Sequence, residues 1–112
     1  MKKVAMTVVC AGAIAVFAAS ASAQDTAKGA KVYTDQKCST CHAIAGKGNA
    51  KGALDDVGTK FTAAEIREWI VDPVGMTAKH KAPRKPAMTA KYAAVPKDDL
   101  DALVAYLSSL KK

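Results

Sequence analysis

The sequence predicts an all-α domain, and three observations carry that expectation. Leu100, Leu103, Val104, Leu107 and Leu110 recur at helical spacing up to the chain end, a stripe that a period near 3.6 gathers on one face. Thr62-Ala63-Ala64-Glu65 has the form of a capping box and stands directly before Ile66, Trp69 and Ile70, so a second amphipathic helix should start there. No convincing run alternates between apolar and polar residues in the manner of a half-buried strand.

Taken in order, the chain opens with a segment that reads as removable. Lys2 and Lys3 form a charged start, Val4 to Ala19 is almost uninterruptedly apolar, and Ala21-Ser22-Ala23 has the small-x-small pattern that precedes signal-peptidase cleavage. The run holds Gly12 and many alanines and is short for a membrane span of about 20 strongly apolar residues. An uncleaved N-terminal anchor is the alternative reading. Cleavage after Ala23 would leave residues 24–112 as one exported, periplasmic domain with no stable membrane insertion. Taking 23 residues from 112 leaves 89, a size at which a domain usually needs a staple, and a bound cofactor would serve. Loss of Lys2 and Lys3 lowers the 17 basic residues to 15 against 10 acids, so the formal charge falls from +7 to +5. Cys10 leaves with the leader, and Cys38 and Cys41 remain.

Asp25 and Thr26 can cap a first helix, which carries Ala30 and Tyr33 at helical spacing toward the cysteines. Ala45 to Lys60 contains Gly46, Gly48, Gly52 and Gly58 and reads as an irregular loop able to wrap a flat ligand. Asp72-Pro73 should end the tryptophan helix. Val74 to Val95, with Pro83, Pro86 and a basic cluster of Lys79, His80, Lys81, Arg84 and Lys85, is expected to hold little regular structure. Pro96 then opens the last helix by its fixed φ, with Asp98, Asp99 and Asp101 near the start and Lys111 and Lys112 at the finish, as the helix dipole favours.

The chemistry is concentrated in Cys38-Ser39-Thr40-Cys41-His42, a CxxCH. Two thiols three positions apart on one turn can add to the two vinyl groups along one haem edge, and the next residue then sits beneath the iron as a ligand. A zinc site would need a second cysteine or histidine pair, and a thioredoxin-like redox pair would need a βαβ setting; the sequence offers neither. One covalently bound haem c is therefore the implied cofactor.

With CxxCH, Gly29 and Tyr33 ahead of it, the glycine loop, a Met after Pro86, and the terminal Leu103-Val104-Ala105-Tyr106-Leu107 helix, residues 24–112 resemble the class I c-type cytochromes. The resemblance implies a cytochrome c fold in which N- and C-terminal helices cross around the haem, with Gly29 permitting close approach and Tyr33 packing near Tyr106 and Leu107. It also implies His42 as proximal ligand and a second ligand from the distal loop. Met88 is favoured, since it lies twelve residues before Leu100, similar to the family's spacing. Met76, read as a loop residue covering apolar surface, and His80, read as a solvated histidine, are the alternatives. In the family a proline carbonyl accepts from the proximal histidine's ring N–H; this chain has Gly52-Ala53-Leu54, and the Ala53 carbonyl is expected in that role. Thr89 stands where the family usually places a proline.

A His/Met pair fills both axial positions, so the expected function is one-electron transfer, with no catalytic residues and no enzyme activity. A soft thioether stabilises ferrous iron. Leu54, Trp69, Val95, Leu100 and Leu103 are candidates to line the haem pocket, or else ordinary core. The stretch Lys79 to Lys85 is expected near the haem edge, where it would steer acidic redox donors and acceptors or serve only as a solvated face. Nucleic-acid binding is excluded by export and by the 5% aromatic content. Two rival readings stand beside the free monomeric carrier: an electron-accepting subunit of a periplasmic oxidoreductase, and a haem sensor or peroxidase with an open iron, which requires that Met88 not ligate.

Overall fold

Helix α1 is helical over residues 25–35 in the computed structural model, which describes residues 25–82 and 88–112 of the chain. The apolar leader, with the expectation of its removal, lies outside the described residues, as do Arg84 and Lys85. Asp25 and Thr26 are already helical. Short strands β1 (Ala43–Ile44) and β2 (Lys47–Gly48) follow, then helices α2 (Val57–Lys60), α3 (Ala63–Val71), α4 (Pro73–His80) and α5 (Lys97–Ser108). Among the described residues no helix is long and apolar enough to cross a membrane. The fold is all-α, as expected.

Helices α1 and α5 cross backbone to backbone. A Cβ at Gly29 would collide with the Ala102 carbonyl oxygen and the Tyr106 Cβ, so only glycine fits this crossing without displacement. Tyr33 then meets Tyr106 edge-on, with ring centroids 6.2 Å apart, and Lys28 pairs with Asp99 across the same crossing. Val32 and Tyr33 of α1, Ile66 and Ile70 of α3, and Leu100, Leu103, Val104 and Leu107 of α5 form the buried core. The α5 helix ends at Ser108, short of Leu110, whose carbonyl accepts from Gly58 N at 2.8 Å. That bond ties the chain end to α2.

The Thr62 capping box is formed in full: Thr62 Oγ1 accepts from Glu65 N, and Glu65 Oε1 accepts from Thr62 N. These Thr62 bonds hold the Glu65 carboxyl below the usual carboxylate range. Further along α3, Arg67 pairs with Asp101 of α5, which also takes Lys97. Hydrogen bonds from Lys97, then Arg67, keep the Asp101 carboxyl low as well.

Two expectations need correction. Residues 74–95 contain α4 and a 3-10 turn, Ala90–Ala94. Asp72 does end α3, but its side chain also accepts from Gly75 N at 3.1 Å, and Pro73 occupies the first turn of α4. An Asp-Pro pair thus acts as stop and start at once, because the proline's missing N–H is one that a helix start leaves unpaired anyway. The glycine-rich stretch is also more regular than expected. Strands β1 and β2 pair antiparallel, with Ala43 opposite Gly48 and Ile44 opposite Lys47. Ala45 and Gly46 both have positive φ at the turn, the conformation that two-residue hairpins require. Asp55 Oδ1 accepts from Ala45 N at 2.7 Å and holds the alanine there.

Candidate functional site

The site begins where α1 stops. Lys37 takes a left-handed conformation, φ 58°, and turns the chain directly into the 3-10 turn Cys38–Thr40. The Cys38 carbonyl then accepts from Cys41 N at 3.1 Å and from His42 N at 2.9 Å. One carbonyl therefore gathers both thiol-bearing residues and the imidazole onto a single tight turn, the arrangement that the CxxCH spacing implies.

The hairpin fixes the histidine from below. Asn49 N donates to the His42 carbonyl at 2.9 Å, and Leu54 N donates to the Ala43 carbonyl at 2.8 Å. Gly48 has φ 113°, and a Cβ there would strike the His42 carbonyl oxygen, so the strand passes this close only as glycine. The His42 Nδ1–H donates to the Gly52 carbonyl at 2.9 Å. This corrects the expectation for Ala53, which is extended, φ −59° and ψ 134°, and bridges Ala43 in parallel. That pairing leaves the preceding carbonyl, Gly52, opposite the ring. A carbonyl can only accept, so Nδ1 carries the proton and the neutral ring's lone pair sits on Nε2.

Above the turn lie two adjoining hollows of about 420 Å³ and 230 Å³, together within the range of roughly 300–1,000 Å³ typical of cofactor and ligand sites. Cys38, His42, Trp69 and Met88 line both, and Cys41 lines the larger. The four residues singled out by sequence, Cys38, Cys41, His42 and Met88, thus meet around one cleft. Met76 is buried at 3% exposure and lines neither hollow. His80 also lines neither. It is exposed, yet its ring stacks on Trp69 with centroids 5.5 Å apart and 30° between planes.

Of the expected pocket residues, Leu54, Trp69 and Leu103 line the smaller hollow. Leu100 and Val95 belong to the core and its margin instead. Sequence reasoning missed Phe61, Tyr92 and Leu107 as lining residues. Leu107 belongs to the α5 stripe, but periodicity does not separate core from cavity wall. Phe61 and Tyr92 stand outside long helices and carry no periodic signal.

The cleft suits a flat apolar group with a polar margin. The smaller hollow is walled almost wholly by apolar atoms. Among the described residues, the buried Trp69 Nε1 and Tyr33 hydroxyl, both on residues lining this cleft, have no hydrogen-bond partner. Buried donors are seldom left so, and they are suited to the acceptor atoms of a bound group. Burial pushes the Tyr33 hydroxyl up to about 12, so it stays a donor, and burial likewise raises the Cys38 thiol. No cluster of three or more His, Cys, Asp or Glu able to hold a bare metal ion occurs among the described residues. The His42 imidazole and the Met88 thioether, both lining the cleft, are donors suited to an iron that brings further ligands of its own. Lys37 and Lys91 stand at the larger hollow, and Thr77 and Ala82 also line it, whereas Lys79 and Lys81 do not.

A small helical fold with two thiols and an imidazole on one turn, facing an apolar cleft, defines a protein of covalently bound haem. The chain belongs to the Cytochrome c family, matching it over residues 26–111. Its cofactor is haem c with iron, and its chemistry is haem-based electron transfer. Among curated proteins the chain is similar to the cytochrome c oxidase subunit 2 of Alkalihalophilus pseudofirmus, 31% identical over 93 residues, which cover 75% of this chain and 25% of that protein. The chain thus spans about a quarter of the relative's length. No solved structure matches it.

Proposed function

We propose that the chain is a periplasmic carrier of single electrons, in which Cys38 and Cys41 hold the haem as thioethers and His42 and Met88 ligate its iron. The observation that supports this most directly is the convergence of those four residues on one cleft. The haem supplies a ferric–ferrous couple when bound, and the protein's residues set the conditions under which that couple works. Nδ1–H of His42, held by the Gly52 carbonyl, fixes the ring's tautomer and raises its basicity as a ligand. Met88, packed against the core, would supply a thioether sulfur, which favours ferrous iron and would leave no position for a substrate. Leu54, Phe61, Leu103 and Leu107 keep water from the cleft, which limits reorganisation at each transfer.

Haem staining after denaturing electrophoresis tests the attachment. Cys38→Ala with Cys41→Ala should lose the covalent haem, and retained stain would refute the thioether assignment. Met88→Ala should abolish the far-red absorption band of an iron–methionine bond and let the ferrous protein bind carbon monoxide. A wild-type protein that already binds carbon monoxide readily would favour the open-site sensor or peroxidase instead.

A second reading has a specific observation behind it. The similarity to an oxidase subunit of which this chain spans a quarter favours a role as the cytochrome module of a larger redox complex. Stable co-elution with a catalytic chain from native membranes would select it over a diffusing carrier. Export is inferred from the Lys2-Lys3 start, the apolar run and Ala21-Ser22-Ala23. N-terminal sequencing of periplasmic protein should begin at Gln24.

A further inference from the structure

The cofactor cleft shares one wall with an aromatic cluster that the electron-transfer reading leaves unused. Trp69 lines both hollows together with Cys38, His42 and Met88. On it stacks His80, the last residue of α4. Phe61, which lines the smaller hollow, meets the same imidazole edge-on at 5.4 Å between centroids and meets Trp69 at 6.0 Å. One face of the Trp69 side chain is thus covered by an exposed, ionisable ring.

We infer that His80 is a proton-responsive positioning residue for the electron-transfer site, fixing the Trp69 indole by stacking and coupling its own protonation to the oxidation state of the iron. Histidine is the side chain whose ordinary charge change falls near neutral pH, and a cationic imidazole over an indole gains a cation–π attraction. Protonation adds one positive charge to a ring stacked on Trp69, a residue of the cleft wall, and the ring's exposure lets solvent screen part of that charge. A positive charge there favours the ferrous state, which carries one positive charge fewer than the ferric. Reduction of the iron by one electron from a redox partner is then accompanied by partial uptake of one proton from solvent at His80, and oxidation returns both.

The surroundings of the ring set the strength of this coupling. From α3, Glu65 lies close enough for His80 and Lys79 to help lower its carboxyl, after its bonds to Thr62. His80 is itself the last residue of α4, with Lys79 before it on the helix and Lys81 just beyond it. From the α2 side, beside Phe61, Lys60 is paired with Asp56 at 3.5 Å. The alternative role, an inert stacking group, has no redox dependence.

The inference rests on the cleft being the haem site, and the two fail separately, since loss of that reading shows in the haem stain. The test uses the intact holoprotein, which has two histidines. Spectroelectrochemical titration across neutral pH should show the ratio of reduced to oxidised haem at fixed potential falling about threefold as His80 loses its proton, about 30 mV at 59 mV per tenfold for one electron. His80→Phe, which keeps an aromatic ring on Trp69 but cannot titrate, should remove that step. Linkage demands the reciprocal: the His80 imidazole, followed by NMR in unmodified protein, should titrate about threefold apart in proton concentration between the ferrous and ferric states. A step that survives His80→Phe, or identical His80 titrations in the two states, overturns the proposal.

Discussion

At the residue scale, Gly48 and His42 are a coupled pair. Gly48 holds φ 113° and passes against the carbonyl oxygen of His42, while Asn49 N donates to that carbonyl and the Gly52 carbonyl accepts from the His42 ring. Gly48→Ala therefore faces a backbone conformation that L-residues avoid and a collision with main chain, which no side-chain rotation relieves. We expect a loss of about 1–3 kcal/mol in denaturant unfolding. We also expect His42 to be displaced from Gly52, visible as a changed iron-ligand absorption band. Ala53 carries a different lesson. Replacing it by proline, as the family pattern has it, would leave the Gly52 carbonyl acceptor in place. The φ of −59° at Ala53 already matches proline's, and the residue ahead of it must tolerate extended backbone. Which of two adjacent carbonyls faces a ring depends on strand pairing, here Ala53 with Ala43, and no spacing rule contains that.

At the scale of elements, α3 is the piece most dependent on local chemistry. Its start rests on the reciprocal Thr62 and Glu65 bonds, and its inner face, Ile66 and Ile70, is buried in the core. Thr62→Ala should cost about 1 kcal/mol in unfolding free energy. The Glu65 carboxyl is held below its ordinary value of 4.5 in the folded state, first by its bonds to Thr62. Its contribution is thus present above that value and is lost as pH falls through the lower, folded one. Glu65→Ala should flatten the dependence of stability on pH below about 4.5, measured as the slope of unfolding free energy against pH, and should leave the neutral-to-alkaline slope unchanged.

The same elements show how far sequence reaches. α3 and α5 were legible because caps and apolar period coincide, and the CxxCH turn was legible because its spacing is its chemistry. α4 was not, although Asp72 and Pro73 spell its start. Its exposed residues, Val74, Gly75 and Ala78 through His80, give no full apolar stripe, and only Pro73 and Met76 are buried. Met88 could be favoured but not fixed from sequence. In the structure α4 buries Met76, while Met88, two residues before the Ala90–Ala94 turn, lines the cleft.

At the scale of the whole molecule, the question is where electrons leave and what charge a partner meets there. The larger hollow is lined on one side by Lys37, just past α1, and on another by Lys91 and Tyr92 of the Ala90–Ala94 turn, and its lysines are Lys37 and Lys91; Lys91 Nζ also lies 5.0 Å from the Tyr92 ring centroid. Lys79 and Lys81, nearer the aromatic cluster, do not line the opening. If transfer occurs through this opening, its local charge and not the net charge of the chain sets the rate with charged reagents. Lys37→Glu with Lys91→Glu should slow oxidation of the ferrous protein by an anionic iron–cyanide complex several-fold at 10 mM salt. It should speed oxidation by a cationic cobalt–phenanthroline complex by a similar factor. Lys79→Glu with Lys81→Glu makes the same change in net charge and should do markedly less. Both effects should converge toward the wild-type rates at about 1 M salt, where the screening length falls to roughly 3 Å. Equal effects from the two pairs would mean that the reagents sense only total charge, and would remove Lys37 and Lys91 from the docking face.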